Sequence, residues 1–158
     1  FSVVCVAYYQ CWVRAAAVTI PVGQISEEAR HLLNVTEQAL YVGIEQGRSG
    51  NRVEDISAAI QTFVESHGYN VVRQYTGHGV GRNMHENPQV SNYGQPGKGA
   101  LLKKGMTIAL EPMVNVGTWE TKLLADAWTV VTADGKLSAH FEHSFAVTDG
   151  QPDILTLL

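Results

Sequence analysis

The 158-residue sequence predicts an α+β fold in which two helices pack on an antiparallel sheet. Two observations carry that expectation. Between residues 26 and 67 apolar side chains recur every three or four positions, the spacing of a helix with one buried face. Beyond Gly68 the chain turns to short β-rich runs separated by loops containing glycine and proline, so the helices come first and the sheet follows. A chain of this length fits one domain with its own core.

The opening "FSVVCVAYYQCWVRAAAVTIPVG" is apolar enough to raise the question of a membrane span or a signal peptide. Gln10 and Arg14 interrupt it before about eighteen apolar residues accumulate, and no positive leader precedes it. Its β-branched and aromatic content reads as one or two buried strands. Cys5 and Cys11 form no disulfide framework and no zinc-binding pair, so a reducing compartment, the cytoplasm, is expected.

Ser26 can cap the first helix, Glu27 and Glu28 suit the positive end of its dipole, and Ala29, Leu32, Leu33, Ala39, Leu40 and Ile44 share a face. Gly47 ends it. The second helix runs from about Val53 to His67, with Gly68 as its stop. "YNVVRQY" then reads as a strand leading into a loop, "TGHGVGRNMHENP". "GMTIALEPMVNV" is a strand that Pro112 should disturb, and "AWTVVTADGKLSAHFEHSFAVT" is a hairpin turning at Asp134-Gly135. The net charge of −4, without any stripe of Lys or Arg, argues against nucleic acid as a main partner. Lys103-Lys104 reads as a solvated turn.

Four places can carry chemistry. His78 stands between Gly77 and Gly79, where a backbone can approach a ligand closely, although alone this reads as a turn. His85 and Glu86 follow in the same loop, and alone His85 reads as a surface or packed histidine. Glu111 ends the apolar run "MTIAL"; a carboxylate there must be paired, hydrogen-bonded or metal-bound. His140 and Glu142 are two apart on a predicted strand and face one side, with Phe141 and His143 on the other. Taken together, one imidazole and two carboxylates suit a divalent ion, and mixed nitrogen and oxygen donors favour Zn, Mn, Fe or Co over Ca. Two glutamates brought together without a cation would repel and raise a pKa.

The stretches "GHGVGRNMHENPQV", "ALEPMVN" and "LADAWTVVTADGKLSAHFEHSFAVT" resemble the C-terminal half of type I methionine aminopeptidases, from about Val22 to Gly150. The resemblance implies one half of a pita-bread fold over residues 23–158, preceded by an apolar segment, residues 1–22, unlike the family. It implies metal ligation by His78, Glu111 and Glu142, with Glu111 accepting the proton of the attacking water. His85 matches the family histidine that contacts substrate and steadies the tetrahedral intermediate. Trp128 matches a wall of the pocket for the methionine side chain. Met84 stands where the family has an aromatic pocket residue. His140 stands where it usually has glutamine and is available as a fourth donor.

The family's other two ligands are aspartates that should fall near Val4 and Ala15, and no Asp, Glu or His occurs between Phe1 and Gly23. The expectation is therefore a truncated, methionine aminopeptidase-like metal-dependent hydrolase. It would hold one divalent ion per chain and use a metal-activated water on an amide or ester carbonyl of a peptide or small-molecule substrate. Two other readings stay open: a promiscuous metal-dependent esterase or phosphotriesterase, and a non-catalytic remnant that acts as a binding protein. An uncovered apolar sheet face would favour a homodimer.

Overall fold

The computed structural model describes residues 1–157. The chain opens with a hairpin of β1 (Ser2–Tyr9) and β2 (Trp12–Thr19), in register from Ser2 opposite Thr19 to Tyr9 opposite Trp12. Its turn holds Gln10 at φ 47° and Cys11 at φ 65°, positions that favour Gly or Asn and that no residue here announces. The expected burial of these strands needs correction. Val13, Ala15, Ala17 and Thr19 on β2 are buried, but every residue of β1 is exposed. β2 docks on the rest of the chain through the reciprocal backbone pair of Ala17 and Glu142, whereas among the described residues β1 pairs with β2 alone.

Helix α1 (Glu27–Glu45) starts as expected, with the Ser26 hydroxyl accepting from the Ala29 N–H. In α2 (Val53–Ser66) the Asp55 carboxylate accepts from the Arg52 N–H at 2.7 Å, so the third helical residue closes the first turn. Neither helix is long and apolar enough to cross a membrane. Their apolar faces, with Leu40, Ile44, Ile56 and Ile60, meet Ile108, Leu110, Val114 and Phe145 of the sheets in one core.

The remaining strands are β3 (Asn70–Val71), β4 (Thr76–Gly79), β5 (Glu86–Ser91), β6 (Thr107–Leu110), β7 (Met113–Asn115), β8 (Thr121–Leu123), β9 (Val130–Thr132), β10 (Ser138–His140), β11 (His143–Ala146) and β12 (Asp153–Ile154). A five-stranded sheet has the order β12-β11-β6-β4-β5, and a three-stranded sheet the order β10-β7-β3. Pro112 does break the long strand, separating β6 from β7. Facing it, the chain also breaks at Phe141-Glu142, between β10 and β11. The two sheets part at these paired breaks.

Two expectations fail in instructive ways. The Asp134-Gly135 turn exists, with Gly135 at φ 75°, but its arms do not pair. β9 bonds to β8 and β10 to β7. Pairing with β7 places Ala139 and Phe141 in the core, which outweighs a local hairpin on the surface. "YNVVRQY" yields only the two residues of β3, and His78 lies on strand β4 rather than in a loop.

Candidate metal centre

Strand alternation and register assemble the site. Leu110 pairs with His143 and Ala109 with Ser144, so continuing the register one step places Glu111 opposite Glu142 at the paired breaks. On the other side of β6, His78 of β4 pairs with Ala109. Side chains alternate between faces, so His78, Ala109, Glu111 and Glu142 share one face while Ile108, Leu110 and Phe145 point into the helical core. One nitrogen of His78 and one carboxylate oxygen each of Glu111 and Glu142 all lie within 4.8 Å of one another.

The glycines beside His78 let it sit on a strand gripped from both sides. A Cβ on Gly77 would lie 2.6 Å from the Ala109 carbonyl oxygen of β6, and one on Gly79 would collide with the backbone at Asn87 in β5. The His78 Nδ1–H donates to the Gly79 carbonyl at 2.9 Å, which leaves Nε2 as the lone-pair nitrogen, 3.4 Å from a Glu111 oxygen. Glu111 Oε2 is also 3.7 Å from His140 Nε2. That nitrogen is buried and, among the described residues, has no hydrogen-bond partner.

Burial dominates the electrostatics. It pushes the Glu111 carboxyl up to about 8, helped by the neighbouring charge of Glu142, and pushes Glu142 up to about 7. It also pushes His140 down to about 4 and lowers His78, despite the bond to Gly79. With the carboxyl pushed up and the imidazoles pushed down, the contacts of Glu111 with the two histidines are not ion pairs. Two buried carboxyls, an imidazole fixed in one tautomer and an orphaned nitrogen form a mixed nitrogen and oxygen donor set that suits a divalent cation. The residues fit a metal.

A stability prediction follows for the metal-free chain. Above about pH 7 the lowered histidines are neutral in both folded and unfolded states, so the glutamates set the slope. Their raised folded values mean that stability present below the ordinary carboxylate range is lost as pH rises through about 7 and then 8. From pH 7 to 8.5 the loss is on the order of 1–2 kcal/mol. In thermal melts this lowers Tm by roughly 4 °C, and Glu111→Gln flattens the trend. A Tm that holds or rises over that interval contradicts this account of the site.

His85 adjoins the centre, its ring 4.4 Å from that of His78 in an edge-on arrangement. Met84 next to it is exposed. Trp128 stands near the tip of the β8–β9 hairpin, 86% exposed, where the Asp126 carboxylate holds the turn. A cavity of about 530 Å³ beside the centre is lined by Thr76, His78, Asn83, His85, Glu86 and Gln89. Thr76, Asn83 and Gln89 carried no signal in the sequence, although Thr76 is two residues from His78 and so shares its face.

Val4 pairs with Ala17, which pairs with Glu142, and Ala15 is two residues along β2. The two positions where the resemblance implies aspartates therefore share the face that continues into the site. Both are apolar there. The Ala15 backbone is instead tied to the Ser144 hydroxyl, which accepts from its N–H at 3.0 Å and donates to its C=O at 2.8 Å.

Residues 1–149 match the model of metallopeptidase family M24. The chain belongs to that family. The family match includes the β1–β2 hairpin. This M24 chain is 51% identical over 156 residues to a methionine aminopeptidase of Clostridium acetobutylicum, covering 99% of this chain and 62% of the relative. It is 55% identical over 141 residues to methionine aminopeptidase 1 of Bacillus subtilis, covering 89% and 57%. The chain thus spans about three-fifths of the length of such relatives. The crystal structure of the Thermotoga maritima methionine aminopeptidase superposes with a TM-score of 0.97 at 48% identity, over 99% of this chain and 63% of that one. The prolidase from Pyrococcus furiosus shares the fold, with a TM-score of 0.77 at 22% identity. The α+β architecture is thus that of the pita-bread metallopeptidases, of which this chain carries the C-terminal part.

Proposed function

We propose that the chain is a metal-dependent hydrolase that removes methionine from the N-terminus of peptides, working with one divalent ion per chain. The convergence of His78, Glu111 and Glu142 within 4.8 Å, with the orphaned His140 nitrogen beside them, supports this reading above any other observation. These residues would hold the ion, Mn, Zn, Co or Fe. Bound there, it supplies Lewis acidity for a water and for the scissile carbonyl. The protein's own groups do the rest. Glu111, whose carboxyl ionises near neutral pH, accepts the proton of the attacking water, and the exposed edge of His85 contacts substrate beside the reacting carbonyl. Met84 and Trp128 contribute to the seat of the methionine side chain. A cytoplasmic setting, which keeps the free thiols of Cys5 and Cys11 reduced, belongs to the same reading.

The test is release of free methionine from a Met-first tripeptide by the metal-saturated chain, with a Gly-first twin left intact. Turnover of activated esters without peptide cleavage would instead favour the esterase reading, since Val4 and Ala15 stand where the resemblance implies acids. Neither activity in a folded, metal-loaded chain would leave a binding role. We also propose a homodimer. β1 exposes Val3, Val4, Val6, Tyr8 and Tyr9 along a sheet edge that is unpaired among the described residues, a surface that a second chain can cover. A single-chain mass in sedimentation at micromolar concentration would refute it.

A further inference from the structure

Away from the metal centre, one arginine is gripped without being neutralised. The Arg73 guanidinium carbon lies 5.3 Å from the centre of the Tyr93 ring and 5.1 Å from that of Trp119, inside cation–π range of both. Among the described residues it forms no ion pair. Both sides of this cradle are anchored. The buried Asn92 amide donates to the carbonyls of Val72 and Tyr75, which bracket Arg73, and Val72 N–H donates to Met113. On the other side, Thr118 beside Trp119 is held by Asn115 and by the Asp134 carboxylate.

Aromatic rings cover guanidinium faces and leave the edge donors free. That edge is a planar fork which matches a carboxylate in a bidentate way. It opens on a cavity of about 700 Å³ whose lining includes Ser57, Gln89, Ser91 and Tyr93. Glu54 also borders the cavity, but its carboxylate is taken by the Gln95 N–H at 2.8 Å.

Gln89 lines both this cavity and the one beside His78 and His85, so the two adjoin along the edge strand β5. Arg73 and His78 are five residues apart in sequence, which limits their Cα separation to about 18 Å. An extended peptide with its reacting bond at the metal centre covers that span in about five residues.

We infer that Arg73, cradled by Tyr93 and Trp119, is a specificity-determining subsite for a carboxylate on the peptide substrate, up to about five residues beyond the reacting bond. The inference rests on the peptide-hydrolase reading above. Its test uses Met-first hexapeptide amides with one glutamate at the third, fourth, fifth or sixth position, each against its glutamine twin. A reduced first peptide bond prevents hydrolysis, and binding to the metal-saturated chain is measured by calorimetry at low salt.

At least one glutamate peptide should bind roughly fivefold tighter than its twin, with the preference shrinking as salt is added. The preference should vanish in Arg73→Gln and survive in part in Arg73→Lys. Arg73 is on the surface, and a melt of each variant within a few degrees of the parent verifies the fold. Equal affinity of every pair, no binding at all, or a preference that persists in Arg73→Gln overturns the subsite. Cleavage of the ordinary Met-first peptides is measured in parallel. Lost cleavage with the glutamate preference intact refutes the hydrolase and leaves the subsite standing; intact cleavage without the preference does the reverse.

Discussion

Replacing Glu111 and Glu142 together by glutamine removes the divalent ion: elemental analysis after saturation with Mn or Zn falls from about one ion per chain to none. Mutating partners one step removed from a metal already costs about 10- to 100-fold in affinity, and these two are direct donors. With both gone, His78 and His140 are left as two neutral imidazoles. The variant should also be more stable than the metal-free parent at pH 8.5, because it no longer ionises two buried carboxylates whose pKa values sit near 8 and 7. Loss of metal in a more stable protein cannot be attributed to unfolding. Undiminished metal content would place the ion elsewhere. The converse substitution, Val4→Asp with Ala15→Asp, introduces acids on the face shared with Glu142 and should raise the content towards two.

Gly79→Ala should be among the most damaging single-methyl changes in the chain. The new Cβ would collide with the Asn87 carbonyl and lie 2.7 Å from its carbonyl carbon and 3.0 Å from the Glu86 oxygen. These are backbone atoms of β5, at the point where its pairing with β4 shifts register between His78 and Gly79, so no side chain can rotate out of the way. Forcing the strands apart costs roughly 3 kcal/mol, which lowers Tm by about 6–12 °C. It displaces His78 as well, so metal affinity falls with stability. Gly150→Ala is the control: a Cβ there meets nothing within 4 Å. A Gly79→Ala chain that melts within about 2 °C of the parent would show that β5 is not held against β4 as described.

Much of the architecture was legible because it depends on neighbours in sequence. Ser26 with Glu27 and Glu28 marks the start of α1, the three-and-four spacing defines both helical faces, and Pro112 interrupts its strand wherever it is placed. The shared face of His140 and Glu142 follows from a period of two and survives the chain break between them. The ligand types also follow from sequence, since Glu111 at the end of an apolar run requires a counterpart in any fold that buries it.

Other features depended on which surfaces meet. The sequence could not tell the buried β2 from the exposed β1, because the two are equally apolar and differ only in what lies against them. Nor could it tell a local hairpin at Asp134-Gly135 from two arms bound to different strands, because the deciding energy is burial of Ala139 and Phe141 in a core built by distant residues. Trp128 remained in solvent and Arg73 gained two rings for the same reason: their partners, or lack of them, are set by loops far away in sequence. The helices, the strand breaks and the chemical kind of the donors are properties of near neighbours and so were readable from the residues alone. That Glu111 and Glu142 face each other across paired breaks with His78 beside them came from the packed fold, because register between strands is fixed by the packing of the opposite face.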